Sequence, residues 1–423
     1  MQLIKHFVDI SIRDIDQVGG KNASLGEMYG SLSGLGIKVP NGFAVTADAY
    51  RYFLDHNNLN ELIEQQLRGL DFSNLDALTY AGGKIRAGII HSQMPEDLGN
   101  AIIEAYETLE SQYGPKPDVA VRSSATAEDL PNASFAGQQD SYLNVAGTRN
   151  LIATCKLVFA SLFTDRAISY RERHGIRHRD VAISVAVQKM VRSDQACSGV
   201  MFTLDTESGF RDVVLVTSSY GLGENVVKGA VNPDEFYVFK PTLDQGFKPL
   251  IKKHLGSKEV KMIYAPEQLA GVYTKNVPVH ASERHRFSIN DDEVLALARY
   301  ASIIEKHYSK HAGKPRPMDI EWAKDGYTGE LFIVQARPET VETRVQTTIY
   351  ETFQLREHGE ALASGRSVGR RIATGISRII LDPAHMNDLR DGEILITDKT
   401  DPDWEPVMKR AAAIVTNRGG RTC

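Results

Sequence analysis

Hydrophobic positions recur at helical spacing through most of the first ~110 residues, which predicts a largely helical segment. One short apolar run at Gly42–Val45 interrupts it and predicts a strand. Residues 118–240 are richer in β-branched residues and predict a strand-rich region. The four runs that predict its strands are Asp180–Val191, Ser198–Thr203, Val213–Thr217 and Glu235–Phe239.

A long amphipathic pattern over Asp291–His311 predicts a helix, and residues 318–336 predict a β-hairpin. The polar stretch Glu339–Thr348 then indicates a domain boundary. From Tyr350 onwards the pattern predicts a helix, a glycine-rich segment and short strands, which we interpret as the start of a second domain. The fold class predicted is α/β (α+β).

Length, composition and charge restrict the classes of function. A chain of 423 residues suggests two or three domains, and 42% apolar with 24% charged residues is ordinary for a globular protein. The net charge of −5 gives no indication of nucleic-acid or membrane partners. No apolar run approaches the ~20 residues that span a bilayer, and the N-terminus lacks a signal-peptide pattern. The three scattered cysteines, Cys155, Cys197 and Cys423, fit a reducing cytoplasm, with the first two buried.

The hairpin carries the most interpretable group of polar side chains. If its turn is symmetric about Tyr327, Asp319 faces Gln335 across the strands. Asp319, Glu321, Gln335 and Arg337 then project from one face, while the opposite, core face carries Ile320, Trp322, Phe332 and Val334. Two carboxylates beside an amide and a guanidinium suit Mg²⁺ and polyphosphate. A solvated sheet face with cross-strand ion pairs is the alternative interpretation.

Two further segments suit phosphate binding. The Gly19-Gly20-Lys21 sequence places a lysine at a helix start, where backbone N–H groups and the side chain can hold a phosphate. It lacks P-loop spacing, and a plain helix-start turn is the alternative. The apolar strand ending at Arg122 runs into small residues, up to Ser141, that can form a lid over phosphates. A flexible surface loop is the alternative there.

The segment Ser218–Gly229 contains a GxGxxx pattern directly after a predicted strand. A dinucleotide-binding unit would need a long helix and a second parallel strand after it. Here the chain leads into another strand at Glu235–Phe239, so we reject that interpretation.

The chain ends in TNRGGRTC, an apolar strand followed by a Gly-Gly turn between two arginines. Such a turn is expected to open a helix with free N–H groups for an anion. We therefore expect this sequence to be a truncated part of a longer enzyme.

Several segments in this order closely resemble the phosphoenolpyruvate synthases (pyruvate, water dikinases). They are GGKNASLGEM, VRSSATAEDLPNASFAGQQDSYLN, SGVMFT, YGLGENVVKGAVNPDEF, MDIEWA, IVQARPET, TDPDWEPVMK and TNRGGRTC. The resemblance implies an ATP-grasp domain over residues 1–340, a hinge over 341–385 and the beginning of a swivelling phosphohistidine domain over 386–423. It also implies a C-terminal pyruvate-binding barrel that this sequence does not contain.

The resemblance also implies roles for individual residues. Lys21 and Arg122 correspond to ligands of the ATP phosphates, with Gln188 and Glu224 as further nucleotide contacts. Asp319 and Glu321 correspond to the acidic pair that binds Mg²⁺, with the catalytic residues Gln335 and Arg337 beside them. The phosphorylated histidine of the family directly follows the motif that ends here at Cys423.

The family reaction converts ATP, pyruvate and water to AMP, phosphoenolpyruvate and phosphate. We expect these 423 residues to bind Mg·ATP without completing that reaction. The resemblance further implies a cytoplasmic homodimer when the enzyme is intact, with no nucleic-acid or membrane partner. The alternatives are pyruvate, phosphate dikinase, an antibiotic phosphotransferase of the same architecture, and a non-catalytic nucleotide-binding module.

Overall fold

The computed structural model describes residues 2–339, apart from 73, 127–128, 131–132, 135–140 and 270–271. Towards the C-terminus it describes residues 354–419, apart from 355, 358, 366, 370 and 401–403. The chain divides into two compact units. The first comprises Met1–Arg192, Ile263–Asn276 and Ala323–Arg337, and the second comprises Ser193–Met262, Val277–Trp322 and Pro338–Cys423.

Most of the longer helices belong to the first unit, and the second unit contains one long helix and several short ones. Those of the first unit are α1 (Ile15–Leu32), α2 (Ala47–His56), α3 (Leu59–Leu67), α4 (Leu75–His91), α5 (Glu96–Tyr113), α6 (Thr148–Ser161) and α7 (Asp165–Arg173). Those of the second are α8 (Glu224–Val227), α9 (Lys240–Leu243), α10 (Ala281–Arg284), α11 (Asp291–Ala312) and α12 (Glu405–Met408). Among the described helices none is long and apolar enough to cross a membrane.

The strands are mostly short. Those of the first unit are β1 (Ile4–His6), β2 (Gly42–Val45), β3 (Val119–Ala125), β4 (Asp129–Leu130), β5 (Ala133–Ser134), β6 (Ser141–Val145) and β7 (Ile183–Lys189). The second unit contains β8 (Cys197–Phe202), β9 (Val213–Tyr220), β10 (Asp234–Phe239) and β11 (Leu250–His254), and later β16 (Ser377–Ile379), β17 (Ile394–Thr397) and β18 (Ala413–Thr416). The division between the units falls within β12 (Val260–Leu269), β13 (Val272–Pro278), β14 (Met318–Lys324) and β15 (Leu331–Pro338).

The first unit is built on an antiparallel sheet in the order β1-β2-β7-β3-β6. Its central strand β7 is buried along nearly its whole length, which explains a continuous β-branched run in place of alternation. The core of this unit is apolar, and its aromatic centre includes Tyr50, Phe53 and Phe159.

The second unit contains a sheet whose strands within the unit run in the order β11-β10-β9-β8-β14, and β8 to β11 are antiparallel. Trp322 is buried here, and its Nε1 donates to the Thr217 carbonyl at 3.1 Å. Helix α11 begins with a capping box formed by Asn290 and Glu293. A separate parallel sheet in the order β16-β17-β18 packs against a small core that includes Leu395 and Trp404.

Most of the predicted elements are confirmed. The strand at Gly42–Val45 has the predicted bounds, and β7, β8, β9 and β10 coincide with the four predicted runs within a few residues. The amphipathic helix is α11, and the two strands of the predicted hairpin are β14 and β15. Cys155 and Cys197 are buried and unbonded to each other, as predicted. The boundary at Glu339–Thr348 lies almost wholly outside the described residues.

The prediction of a strand-rich region over 118–240 was wrong for its middle, where α6 and α7 lie. Leu151, Cys155, Val158 and Phe159 are buried at helical spacing, so α6 packs one face on the core. Further along the chain, the helix predicted from Tyr350 begins outside the described residues. The described residues between 354 and 376 contain no helix.

A buried ion pair stabilises the second unit at the start of β10. The side chains of Asp234 and Lys258 are both fully buried, and the ammonium donates to Asp234 Oδ1 and to the Gly256 carbonyl. Asp234 Oδ1 also accepts from the Gly256 N–H, while Oδ2 accepts from the N–H and hydroxyl of Ser288 at 2.8 and 2.7 Å. All four groups that bond to the Asp234 carboxylate are donors, so its negative charge is well satisfied.

We predict that Asp234→Asn destabilises the second unit by about 3–5 kcal/mol, because it leaves Lys258 buried without its counter-charge. The matched control is Asp244→Asn, which removes a 2.8 Å ion pair with Lys306 whose side chains are 47% and 66% exposed. That control should cost less than about 1 kcal/mol. Urea unfolding followed by circular dichroism measures both, and equal losses would contradict this account.

Candidate phosphate and metal site

Helix α1 and strand β3 approach each other very closely at Gly19. The helix is kinked there, with Gly19 at φ +73° and ψ 166°, in a region that favours glycine. A Cβ at this position would lie 2.4 Å from the Ser124 carbonyl oxygen. Just beyond the kink, the Asn22 N–H donates to Ser124 Oγ at 3.2 Å. The glycine therefore lets the start of a new helical segment dock directly on the end of β3.

This docking brings two of the predicted phosphate ligands to adjoining segments. Lys21 Nζ lies 3.4 Å from the Ser123 carbonyl oxygen, so its ammonium is beside the residue that follows Arg122. Both Lys21 and Arg122 are half-buried. The structure thus places the Lys21 ammonium at a helical turn beside the strand that carries Arg122. A helical turn and a cation of this kind suit phosphate oxygens.

Strand β15 lies against the same part of the first unit. Ser24 Oγ donates to the Ala336 carbonyl at 2.6 Å, and Arg122 Nη1 lies 3.5 Å from the Val334 carbonyl oxygen. Gln335 lies between these two contacted residues in the sequence, and Arg337 directly follows them. Within the first unit, α1, β3 and β15 therefore bring the backbone positions of Lys21, Arg122, Gln335 and Arg337 together.

The prediction of which face of β15 packs on the core was wrong. Phe332 and Val334 are half-buried, whereas Ile333 and Gln335 are buried. The Ile333 N–H donates to the Lys38 carbonyl at 2.8 Å, which ties β15 to the first unit along its edge. The prediction considered only a two-stranded hairpin with one covered face, and this edge contact was not visible in the strand's own alternation.

The hairpin turn is fixed by Asp325. Its N–H donates to the Glu330 carbonyl at 2.9 Å, and its Oδ1 accepts from the N–H groups of Tyr327 and Thr328. Burial acts to raise the pKa of the Asp325 carboxyl, but hydrogen bonds from the Thr328, Tyr327 and Arg192 backbones outweigh it and lower the pKa.

Gln188 occupies a position inside the sheet. Its side chain is 2% exposed, and its Nε2 lies 3.5 Å from the Pro40 carbonyl oxygen. The next residue, Lys189, donates from Nζ to Asp118 Oδ1 at 2.7 Å and to the Met190 carbonyl at 2.9 Å. Gln188 is therefore a buried residue of strand β7. Its contact with adenine stays a prediction.

The two predicted metal ligands lie in the second unit. Asp319 and Glu321 are half-buried positions of β14, and they alternate with the buried residues Met318, Ile320 and Trp322. Residues two apart in a strand project to the same side, so both carboxylates belong to one face. This donor set fits Mg²⁺, which prefers carboxylate oxygens and completes its shell with phosphate and water.

Glu224 begins the four-residue helix α8, directly after the glycine turn that follows β9. Gly221 has φ +86°, and a Cβ there would lie 2.5 Å from the Met262 carbonyl oxygen. The Glu224 carboxylate forms an ion pair with Lys228. As predicted, no long helix follows this glycine motif, because the chain turns into β10. The predicted contact of Glu224 with the nucleotide stays a prediction.

Sequence reasoning missed three residues that build the site. Ser124 Oγ accepts a hydrogen bond from the Asn22 N–H of helix α1. Asn22 Nδ2 donates to Ser184 Oγ at 2.9 Å, and Ser24 Oγ donates to the carbonyl of Ala336 in β15. The available signal was the run of small polar residues in GGKNAS and RSSA, which permits close approach of backbones. Part of the predicted lid, and the terminal residues Gly420–Cys423, lie outside the described residues.

Two family models match this chain. Residues 15–357 match the family described as "Pyruvate phosphate dikinase, AMP/ATP-binding domain", and residues 389–423 match "PEP-utilising enzyme, mobile domain". The chain therefore belongs to the pyruvate phosphate dikinase AMP/ATP-binding domain family. It is a mixed α/β protein with a nucleotide-binding domain.

The similar curated proteins are named phosphoenolpyruvate synthase. The chain is 54% identical to those of Synechocystis sp. and Helicobacter pylori and 53% identical to that of Escherichia coli. Each alignment covers 100% of this chain but only 52%, 53% and 52% of the relative. The chain thus spans about half the length of the curated relatives that it matches.

We predict that Gly19→Ala separates α1 from β3 and destabilises the first unit, because the added Cβ meets backbone atoms in a conformation unfavourable for alanine. Gly30→Ala in the same helix is the matched control, since nothing lies within 4 Å of the position that its methyl group would take. The control should stabilise the helix by about 0.5–1 kcal/mol. Thermal unfolding compares the two, and a harmless Gly19→Ala would contradict the docking described above.

Proposed function

We propose that this chain binds Mg·ATP and acts as the phosphoryl-donating part of a phosphoenolpyruvate synthase. The observation that carries the proposal is the docking of Lys21 beside the Arg122 strand, with β15 anchored to the same helix. Phosphoryl transfer proceeds through a loose transition state whose negative charge is spread over the phosphoryl oxygens. Positioned cations therefore matter more than a general base.

Each residue has a distinct part in this proposal. Lys21 and Arg122 hold the ATP phosphates, and the Arg337 guanidinium neutralises charge on the transferred group while Gln335 orients it. Asp319 and Glu321 hold Mg²⁺, which neutralises phosphate charge when bound. Gln188 and Glu224 contribute contacts to the rest of the nucleotide. Lys21, Arg122 and Arg337 belong to the first unit, and Asp319 and Glu321 belong to the second.

For the whole protein we propose the reaction of ATP, pyruvate and water to AMP, phosphoenolpyruvate and phosphate. The names of the similar proteins support it. A neutral imidazole near pH 7 is a suitable phosphoryl acceptor, so a phosphohistidine would carry the group between two sites. The match of residues 389–423 to a mobile domain supports such a carrier. We further propose an ATP-grasp domain over 1–340, a hinge over 341–385, and a cytoplasmic homodimer.

Pyruvate, phosphate dikinase is the second candidate, because the description of the matched family names that enzyme. The two reactions differ in the second phosphoryl acceptor, which is water in one and phosphate in the other. Turnover of the full-length protein without added phosphate would support the synthase. A strict requirement for phosphate would support the dikinase instead.

We predict that Lys21→Met weakens Mg·ATP binding by about 10- to 100-fold, the value of one charge-assisted phosphate contact. Isothermal titration of the 423-residue protein measures this directly. The control is Lys84→Met, which removes an exposed lysine of α4 that lies over the Tyr80 ring. Equal affinities for the two variants would refute the role of Lys21.

We predict that Asp319→Asn removes most of the gain in ATP affinity that Mg²⁺ provides, because a neutral amide is a poor magnesium ligand. ATP affinity is measured with excess Mg²⁺ and again with EDTA. Asp292→Asn removes an exposed carboxylate of the same unit and should leave the ratio unchanged. An unchanged ratio in Asp319→Asn would place the metal elsewhere.

A further inference from the structure

One hydrogen bond in the second unit joins the two parts of the chain that match different family models. The Gly419 N–H donates to Asn232 Oδ1 at 3.1 Å. Asn232 lies within the match to the AMP/ATP-binding domain, and Gly419 lies within the match to the mobile domain. The two residues are 187 positions apart, and both belong to the second unit. This bond is therefore a contact between the mobile-domain segment, residues 389–423, and the nucleotide-binding domain.

Asn232 occupies a tightly held loop between α8 and β10. The Lys258 N–H donates to the Asn232 carbonyl at 3.2 Å, and a Cβ at Gly256 would lie 2.3 Å from the same oxygen. Two residues further on, Asp234 forms the fully buried ion pair with Lys258. Asn232 Nδ2 lies 3.5 Å from Ser257 Oγ, which orients the side-chain amide. The backbone at Asn232 is thus fixed, and its amide oxygen is directed to an N–H donor.

The mobile-domain segment carries three successive N–H groups directly after β18. Those of Asn417 and Arg418 donate to the Asp398 carbonyl at 3.1 and 2.9 Å, and Asp398 directly follows β17 of the same small sheet. The third N–H, that of Gly419, donates to Asn232 instead. Gly419 has φ +147°, a conformation that favours glycine. The first two bonds are internal to the segment, whereas the third breaks when the segment leaves the nucleotide-binding domain.

A contact of this size suits a reversible position of the segment. A bond that is made in one position of a moving domain and absent in another shifts the population towards the first. One neutral N–H···O bond changes such a population about three- to tenfold. It therefore favours the bound position without preventing release.

We propose that Asn232 is a positioning residue that holds the mobile-domain segment against the nucleotide-binding domain while a phosphoryl group is taken from ATP. This inference rests on the proposed function, in which a phosphohistidine carries that group between two sites. Asn232 acts through Gly419 and does not touch the reacting atoms. Loss of the bond slows the step that uses ATP and spares the step that uses pyruvate, because only the first needs this position of the segment.

Amide hydrogen exchange of the 423-residue protein tests the contact independently of the function. We expect Asn232→Ala to reduce the protection of the Gly419 N–H about three- to tenfold, because its acceptor is lost. The N–H groups of Asn417 and Arg418 should keep their protection, since their acceptor is Asp398. Unchanged protection at Gly419, or equal loss at all three groups, would overturn the proposal.

Two partial reactions of the full-length protein test the role. The first is single-turnover formation of AMP from ATP without pyruvate, which leaves one phosphoryl group on the protein and releases the other as phosphate. The second is exchange of carbon label between pyruvate and phosphoenolpyruvate without nucleotide. We expect Asn232→Ala to slow the first about three- to tenfold, with no change in the second or in Mg·ATP affinity. Asn232→Asp keeps an oxygen acceptor for Gly419 and should restore the rate of AMP formation.

The matched control is Asn60→Ala, which removes a 2.6 Å side-chain hydrogen bond of an exposed asparagine in α3 and should change neither reaction. Circular dichroism verifies folding, and Asn232→Leu, of similar volume, replaces Asn232→Ala if that variant does not fold. Equal slowing of both reactions, or an unchanged rate of AMP formation, would overturn the proposal. No AMP formation by the wild-type protein would refute the proposed function and this role together, whereas the exchange result identifies failure of the contact alone.

Discussion

The close approach of Gly19 to Ser124 is the constraint on which the candidate site depends. Two backbones can come this near only where one residue lacks a Cβ. The approach starts a helical segment at the end of β3, and it positions Lys21 next to the strand that carries Arg122. If that contact were wider, the Lys21 side chain would not reach the strand that carries Arg122.

The same helix then fixes the position of β15. The 2.6 Å bond from Ser24 Oγ reaches the carbonyl of Ala336, which lies between Gln335 and Arg337 in sequence, so a small shift of α1 would move both. Small hydroxyl side chains make this packing possible, because they satisfy buried carbonyl groups at short range. A glycine, two serines and an asparagine thus hold the charged residues that are proposed to act on phosphate.

The second unit is stabilised by different means. Its fully buried Asp234–Lys258 pair is surrounded by donors and has no access to solvent. In β14 the organisation is simple alternation, with Ile320 and Trp322 buried and the carboxylates between them half-buried. The alternation of the strand therefore puts the two carboxylates on one face.

Strong periodic patterns were predictable from the sequence, and contacts between distant segments were not. The strand at Gly42–Val45 was recognisable as a short continuous apolar run, and helix α11 was recognisable because its buried side chains repeat at the helical period. Helix α6 was missed because its β-branched and small residues resemble strand composition, although Leu151, Cys155 and Val158 follow helical spacing. In the candidate site, the residue types at Lys21 and Arg122 suggested phosphate chemistry from motifs alone. The role of Ser124 could not be deduced, since it depends on a contact across more than a hundred positions.

A structure of the protein bound to Mg²⁺ and a non-hydrolysable ATP analogue tests the central claim most directly. Our account predicts that the side chains at 21 and 122 contact the phosphates, that the residue at 337 lies beside the terminal phosphoryl group, and that the carboxylates at 319 and 321 hold the metal. A nucleotide bound elsewhere, or a metal held by other ligands while these carboxylates remain distant from the phosphates, would contradict it.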